Sequence, residues 1–552
     1  MITEPAKTVL TGTRKTFHGD FDSLPAVGPD EEFSVTIRVK RKHELPEWRG
    51  VRMTHEQHSR DHGADPESLA KVQSFAAAHG LETAAVRPDR REVVVRGSAR
   101  LMQEAFSADL RIAEINGRKC RVRRGEISVP TDLVGAISSV TGLDNRPFAK
   151  PHYRVARQAA HAVGAGAAAA PVNETAFTPV EFASLYNFPA GLDGSGQTIA
   201  ILELDGGFRP DELAACFKEL GVPQPTVTVV SFEGGGANNP GLNALDPFCR
   251  DAEVMLDLQV AGGLAPGAQI LVYFAKDDSD QSFLAAMSAI VHDAARKPDI
   301  VSISWGGPES AATGQFRNDF DQVLQTAAHL GITVCVATGD NASPDFGADD
   351  PTWDGGAHVD FPACDPWVLA CGGTRISVAG GAIATEDVWF EGPHDGTGGG
   401  VSRVFPLPDY QRNSSIPRSA NPDGPVMRGI PDVSANAAPV SGFRILCDGQ
   451  RFPDPDKNVP PMGGTSAVAP LWAALVARLN QAFGRRCGFL NPLLYELAVT
   501  PGSSIWRNTA SGTNGSYFAG PRWNACTGLG SVDGTRLLNA MRARTEADLV
   551  GH

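Results

Sequence analysis

Hydrophobic and polar residues repeat with two different periods along the first 155 residues. A period of two predicts strands, and a period of three to four predicts helices. The predicted strands are 32–39, 92–97 and shorter stretches around 109–112 and 120–122, and the predicted helices are 66–79 and 98–106. This succession suits the β-α-β-β-α-β order of a ferredoxin-like α+β sandwich. It contains no obvious catalytic constellation.

Residues 156–173 are rich in alanine and glycine, with no large apolar residue after Val163 until Val172. Such a segment cannot bury enough surface to fix its own conformation. We interpret it as a linker between a domain of residues 1–155 and a second domain of residues 174–552. An exposed linker of this composition is also a favourable target for proteolysis.

Strand and helix patterns alternate through residues 174–552, which predicts an α/β domain with a parallel sheet covered by helices on both faces. The predicted strands are 198–202, 269–274, 300–304 and 332–337. Functional residues of such sheets lie beyond the carboxyl ends of the strands. Three polar or aromatic residues follow those ends: Glu203, Trp305 and Asp340.

Ser466 lies in the sequence Met-Gly-Gly-Thr-Ser-Ala-Val-Ala-Pro at 462–470, directly before a long apolar helix pattern. Unpaired backbone N–H groups and the helix dipole stabilise negative charge at such a position. This is a good environment for a nucleophile. The alternative is a simple N-cap serine after a glycine turn.

Glu253 and Asp257 are four residues apart in an otherwise apolar helix pattern, so they share one helix face. Burial and mutual repulsion would raise the pKa of one of them, as a carboxylate base working in mild acid requires. A solvated helix edge is the alternative. The thirteen histidines provide no convincing base, since His292 and His329 fall near helix ends, where a charge on the dipole is the ordinary role.

The formal net charge of −14 argues against nucleic acid as a partner, because phosphate binding needs a basic face. The sequence shows no apolar run long enough to cross a membrane and no standard signal peptide. We expect a monomer by default.

The segments around Ser466, Glu253 with Asp257, and Gly339-Asp340 together resemble the sedolisins, the serine-carboxyl peptidases with a subtilisin-like fold, and the kumamolisin branch above all. The resemblance implies a peptidase whose residues 1–155 are an inhibitory and chaperone prodomain. It implies Ser466 as nucleophile, Glu253 as general base, Asp257 as its proton-coupled partner and Asp340 as a protonated oxyanion donor. Glu203 and Trp305 match positions that extend the hydrogen-bond chain behind Asp257.

The same chemistry is consistent with acid activity. Below about pH 5 a histidine base would be mostly protonated, whereas a carboxylate can still accept a proton. A prodomain joined by a linker to such a site suggests a zymogen that cuts residues 156–173 in acid. Its partners would be protein or peptide substrates and its own prodomain, and Asp360 could favour basic side chains. The resemblance implies secretion to the extracellular space.

One feature departs from the family pattern. Sedolisins carry a calcium site near the C-terminus, but here Asn508 and Asn524 stand where two aspartates are expected, and Arg522 replaces a glycine. Calcium needs several hard oxygens with negative charge. We therefore expect no cofactor and no metal in this degenerate site, which comprises Asn508, Thr509, Gly520, Arg522 and Asn524. Hydrogen bonds of the asparagines or Arg522 would have to hold the loop instead.

Two other functions stay open at this point. A peptidase-like protein that binds without cleaving would explain the loss of calcium ligands, although all four catalytic positions are intact. A neutral subtilisin-type protease would need a catalytic histidine that the sequence does not place.

Overall fold

The computed structural model describes residues 6–155, 175–246, 249–422, 424–500, 504–507, 509 and 511–550. The predicted linker, 156–173, lies outside the described residues. The chain divides into two units: residues 1–149 with 275–297 and 310–330, and residues 150–274, 298–309 and 331–552. Within the described residues, no helix is long and apolar enough to cross a membrane.

The first unit contains an antiparallel sheet with the strand order Glu82–Arg87, Glu92–Ser98, Glu32–Val39 and Ile137–Thr141. Alternate residues of the strands, such as Val35, Ile37, Val93 and Val95, are fully buried, as the period of two requires. The remaining strands are Lys7–Val9, Leu110–Ile115, Arg118–Arg123 and Ser128–Pro130, and the helices are His55–His62, Pro66–Ala78, Ala99–Phe106, Asp280–Val291 and Gly314–His329. The sheet order confirms the ferredoxin-like prediction.

The fourth strand of this sheet was not predicted. Leu110–Ile115 and Arg118–Arg123 pair with each other as a separate hairpin, and Ile137–Thr141 completes the sheet instead. Its central residues, Ser138 and Ser139, are polar because their hydroxyls donate to Asp319 of the helix Gly314–His329. These serines interrupt the alternation of apolar and polar residues by which a strand is predicted. Because this unit also includes later segments of the chain, the boundary of a prodomain at residue 155 stays a prediction.

The second unit is built on a mostly parallel sheet, which confirms the subtilisin-like α/β prediction. Its strands lie in the order Thr226–Val229, Gln269–Phe274, Thr198–Glu203, Ile300–Ile303, Thr333–Ala337, Leu369–Ala379, Val433–Asn436, Ser531–Val532 and Trp506–Arg507. The last strand is antiparallel to its neighbour, and Ala382–Val388 pairs antiparallel with Leu369–Ala379. The four predicted strands are all present. Their carboxyl ends bring Glu203, Ser304 and Trp305 to one edge of the sheet.

One helix of this unit carries the candidate base, and a second begins just after the candidate nucleophile. The helix Asp251–Leu264 is buried along its whole length, and Val468–Phe483 packs against it. A helix that is apolar on all sides belongs in the interior of a domain. The other helices are Pro179–Leu185, Pro210–Leu220, Asn491–Val499 and Gly534–Val550, and the short strands include Lys150–Pro151, Arg154–Val155, Trp305–Pro308, Asp360–Phe361, Phe390–Gly392, Asp395–Gly396, Gly400–Val401, Gly429–Ile430, Ile445–Cys447, Gln450–Phe452 and Met462–Gly463.

Candidate active site

Ser466 lies in a 3₁₀ turn, Thr465–Ala467, that leads directly into the helix Val468–Phe483. Gly464, the residue before this turn, has φ +102°, and a Cβ atom there would collide with the carbonyl oxygen of His152. Ser466 is fully buried, and its Oγ donates to the carbonyl oxygen of Ser304 at 3.3 Å. The predicted position of Ser466 just before a helix is therefore confirmed, and the 3₁₀ turn leads from Ser466 into that helix.

Glu253 and Asp257 are both fully buried, so the alternative of a solvated helix edge is wrong. Burial, followed by the charges of Asp257 and Glu203, raises the pKa of Glu253 well above its ordinary value. The nearby Ser466 hydroxyl partly offsets this by favouring the charged form, although that hydroxyl donates to Ser304 and neither Glu253 carboxylate oxygen has a hydrogen-bond partner. Burial also raises the pKa of Asp257. The cluster therefore keeps protons that exposed carboxyl groups would lose, and its members titrate together.

Ser304 is part of this site, although the sequence provided no reason to select it. Its hydroxyl lies 2.8 and 2.9 Å from the two carboxylate oxygens of Asp257 and lowers the pKa of that group. Behind it, Trp305 Nε1 donates to Glu203 Oε2 at 2.9 Å. Burial and the charge of Asp257 raise the pKa of Glu203. Trp305 and Glu203 are thus hydrogen-bonded to each other, but no described hydrogen bond joins either of them to Asp257, so the extended chain behind Asp257 stays a prediction.

Asp340 is fully buried on the other side of Ser466. Its Oδ1 accepts from the backbone N–H and the hydroxyl of Thr465, both at 2.8 Å. Its Oδ2 has no hydrogen-bond partner and lies 3.9 Å from the guanidinium of Arg154. Burial raises the pKa of Asp340, while Arg154, His152 and the Thr465 donors lower it. A protonated Oδ2 would be free to donate a hydrogen bond.

The segment 150–155 runs through this site in extended conformation. Lys150–Pro151 pairs antiparallel with Trp305–Pro308, and Arg154–Val155 pairs antiparallel with Met462–Gly463. Between them, the carbonyl oxygen of His152 accepts from the Ser466 N–H at 2.9 Å, and the His152 N–H donates to the Ser304 carbonyl at 3.0 Å. A carbonyl held by the backbone N–H of the candidate nucleophile occupies the position of a scissile peptide group.

The side chain of His152 enters an acidic pocket. Its Nε2 lies 3.0 Å from Asp360 Oδ2, and both residues are fully buried. Burial lowers the pKa of His152 to about 3 and raises that of Asp360. A second buried carboxyl group, Asp345, has its pKa raised by burial and by the charge of Asp360. The pocket therefore holds carboxyl groups that would gain from a permanent cation.

Comparisons with known proteins agree with this geometry. Residues 233–498 match the family model described as the subtilase family, and residues 43–146 match the one described as the activation domain of pro-kumamolisin. Kumamolisin from Bacillus sp. strain MN-32 is 42% identical over 559 residues, which cover 98% of this chain and 97% of kumamolisin. The chain belongs to the sedolisin family. It is a kumamolisin-like serine peptidase with an N-terminal activation domain.

Sedolisin from Pseudomonas sp. strain 101 is 29% identical over 495 residues, which cover 86% of this chain and 79% of that protein. The solved structure of Pseudomonas sedolisin, a serine-carboxyl proteinase in complex with pseudo-iodotyrostatin, matches with a TM-score of 0.58 at 27% identity. It covers 67% of this chain and 99% of its own. The family named from the sequence motifs is therefore confirmed. The roles of the individual site residues stay predictions.

The degenerate calcium site of this sedolisin-family member does not fit calcium where it is described. Asn508 lies outside the described residues. Asn524 Oδ1 already accepts from the backbone N–H groups of Cys526 and Thr527 at 3.1 and 3.0 Å, and its Nδ2 lies 3.4 Å from the carbonyl oxygen of Arg522. Its amide therefore helps to hold the turn, together with the backbone hydrogen bonds between Asn524 and Gly528. The absence of a bound metal stays a prediction.

Proposed function

We propose that this protein is an acid-active serine-carboxyl endopeptidase made as a self-processing zymogen. The observation that carries the proposal is the His152 carbonyl oxygen, which lies 2.9 Å from the Ser466 backbone nitrogen in a site lined by buried carboxyl groups. The segment 150–155 would be both the inhibitor of the precursor and its first substrate. The first bond cut would be His152–Tyr153, and trimming within 156–173 would follow.

We assign one residue to each step of the reaction. Ser466 Oγ attacks the carbonyl carbon while its proton passes to Glu253, whose partner Asp257 shares the charge of the pair. The tetrahedral oxyanion is held by the Ser466 N–H and by protonated Asp340 Oδ2. Such a donor contributes about 3–4 kcal/mol to the barrier. Glu253 then returns the proton to the leaving amine, and water hydrolyses the acyl-enzyme by the same route.

The charges around Asp340 explain why the precursor would stay intact until it is acidified. Burial raises the pKa of Asp340, whereas the charge of Arg154 lowers it and favours the ionised form. An ionised Asp340 cannot donate to the oxyanion and would repel it. Acid protonates Asp340 and completes the oxyanion site.

The acidic pocket predicts which peptide bonds are cut. A lysine or arginine side chain in the place of His152 would bring a full positive charge to Asp360 and Asp345. Among the described contacts of Asp360, the other cation is Lys150, which acts at longer range. We therefore propose a preference for basic residues on the amino-terminal side of the scissile bond. Exchanging Asp360 for asparagine should reduce this preference, measured as kcat/KM for matched peptides with lysine or norleucine at that position.

The zymogen proposal is tested by acidifying the purified precursor and following its intact mass and its new N-terminus. The wild type should release a chain that begins at Tyr153 before shorter products form, and Ser466→Ala should stay intact. Cleavage of Ser466→Ala in the absence of other enzyme, or a first product that begins elsewhere, would contradict the assigned geometry.

The place of action belongs to the same proposal. An acid optimum suits a peptidase that works outside a neutral cytoplasm, so we propose an extracellular enzyme that acts as a monomer. Detection of the processed chain in the culture medium of the producing cell tests the first statement, and light scattering of the purified enzyme tests the second.

A further inference from the structure

Cys249, Asp251 and Asp448 form a cluster of potential metal ligands outside the proposed catalytic site. One ligand atom of each residue lies within 4.8 Å of the other two. Cys249 and Asp251 flank the start of the helix Asp251–Leu264, and Asp448 lies in the turn between the strands Ile445–Cys447 and Gln450–Phe452. A thiol and two carboxyl groups from two separate chain segments thus converge on one point.

The orientation of Asp251 is the independent observation that points to a ligand. The residue is 1% exposed, and its Oδ1 accepts from the Gly207 N–H at 2.9 Å. Its Oδ2 is buried and accepts no hydrogen bond of normal geometry, although the nearby Gly241 N–H lowers the pKa of this carboxyl group. A buried carboxylate oxygen without a partner is costly, so some group is expected to satisfy it. That oxygen and Cys249 Sγ both approach the same face of Gly241, at 3.5 and 3.0 Å from the position of an added Cβ.

Among the described ion pairs of the cluster, one arginine contacts it directly. Arg209 forms an ion pair with Asp448 Oδ1 and also donates to the carbonyl oxygen of Gly241. The guanidinium therefore contacts one carboxylate of the two, although its charge also lowers the pKa of Asp251. The Cys249 thiol donates to Asp448 Oδ2 at 3.7 Å. A cation placed between Sγ, Asp448 Oδ2 and Asp251 Oδ2 would compensate the second carboxylate.

We propose that this cluster is a zinc site, with Cys249, Asp251 and Asp448 as ligands and water as the fourth. Zinc binds thiolate sulfur at about 2.3 Å and carboxylate oxygen at about 2.0–2.2 Å, which in a tetrahedral site places sulfur and oxygen about 3.5 Å apart. The observed 3.7 Å between Cys249 Sγ and Asp448 Oδ2 fits that separation. A cavity of about 290 Å³ adjoins Cys249 and Asp251 and has room for the water ligand. Calcium and magnesium avoid sulfur, so the thiol favours zinc.

A bound ion would join the chain before the helix to the hairpin that carries Asp448. Because zinc would bind the folded chain and find no assembled site in the unfolded one, it should raise the thermal midpoint of unfolding. This inference does not depend on the proposed peptidase chemistry, since none of its ligands is assigned a catalytic role.

The test uses the full-length Ser466→Ala precursor at neutral pH, stripped of metal, so that autolysis does not interfere. Calorimetric titration with zinc should give one site per chain, and cobalt should give a near-ultraviolet thiolate-to-metal charge-transfer band. Adding Cys249→Ala should abolish the band and weaken zinc binding by more than the ~10- to 100-fold loss typical of an outer-shell partner. The matched control is Cys487→Ala, which changes another half-buried cysteine and should bind like the parent.

A second measurement needs no substitution in the cluster. Zinc should protect Cys249 from alkylation in the folded parent, read by mass spectrometry of the peptides, while Cys487 reacts equally with and without the metal. Absence of zinc binding at micromolar concentrations would overturn the proposal. So would binding that survives Cys249→Ala, or a Cys249 that alkylates at the same rate in both conditions.

Discussion

Removing the Ser304 hydroxyl should slow catalysis without removing any of the four predicted catalytic residues. Ser304 is fully buried, and its hydroxyl lies 2.8 and 2.9 Å from the two oxygens of Asp257. As Glu253 takes the proton of Ser466, the negative charge of the Glu253 and Asp257 pair falls by one, and this hydroxyl holds the remaining charge on Asp257. A hydrogen bond to a charged group contributes about 1.5–3 kcal/mol, so Ser304→Ala should lower kcat by about 10- to 150-fold.

The assay is the initial rate of hydrolysis of a fluorogenic peptide by processed enzyme across the acid pH range. Because Ser304 lowers the pKa of Asp257, its removal should also shift the acid limb of the profile to higher pH. Ser302→Ala is the matched control, since that serine is equally buried two residues earlier, in the strand Ile300–Ile303, and its hydroxyl has no hydrogen-bond partner. Ser304→Thr keeps the hydroxyl and should recover part of the rate.

Two results would refute this reasoning. One is a Ser304→Ala enzyme whose kcat stays within about threefold of wild type, since that is less than the ~1.5 kcal/mol minimum predicts. The other is a Ser302→Ala enzyme that loses as much activity as Ser304→Ala, because the loss would then follow from packing of the strand. Circular dichroism spectra and thermal melts of each variant separate both outcomes from failure to fold.

Three further predictions follow from the same site. Arg154→Gln removes a charge that lowers the pKa of Asp340, so Asp340 should stay protonated to higher pH than in the wild type. The precursor should then process itself up to a higher pH, and an unchanged pH midpoint of processing, read by gel, would contradict this. Trp305→Phe removes the donor 2.9 Å from Glu203 and should lower kcat by about 10-fold or more at optimal pH, and a wild-type rate would count against the extended network. Adding calcium to protein stripped of all metal should leave the thermal midpoint and activity unchanged, whereas a midpoint that rises with calcium would show that the degenerate site still binds the ion.

The sequence was sufficient for the elements with clear periodicity. The spacing of Glu253 and Asp257 in an apolar segment predicted a shared, inward face, and the structure confirms that both are fully buried. Strands of continuous apolar residues were equally clear, because in a parallel sheet both faces are covered. The family followed from three separated motifs in order, and the comparisons confirm it.

The missed features involve polar residues whose role depends on tertiary contacts. The strand Ile137–Thr141 was not predicted because its serines face Asp319 from a helix nearly two hundred residues later. Ser304 was overlooked because a serine at the end of a strand carries no distinctive pattern. The prediction placed Ser304 inside the strand 300–304, whereas the structure ends that strand at Ile303, so the rule that selected Trp305, position beyond the carboxyl end of a parallel strand, did not reach Ser304.

The segment 150–155, which runs past Ser466, was missed for a different reason. Residues 150–155 contain no motif, and the interpretation as the end of a domain was reasonable from composition alone. Their position follows from strand pairing with Trp305–Pro308 and Met462–Gly463, two stretches far away in sequence. Pairing of short edge strands depends on where the rest of the chain brings their partners, which periodicity does not report.

The central claim is that buried carboxyl groups, in place of a histidine, activate Ser466. The most direct test is the pH dependence of kcat/KM for wild type and for Glu253→Gln, with Ser466→Ala as the inactive reference and active enzyme counted by titration. The account predicts an optimum in acid for wild type and activity near the Ser466→Ala background for Glu253→Gln at every pH. A neutral optimum, or a Glu253→Gln enzyme as active as wild type, would mean that Glu253 is a structural carboxyl group and that the proposed mechanism is wrong.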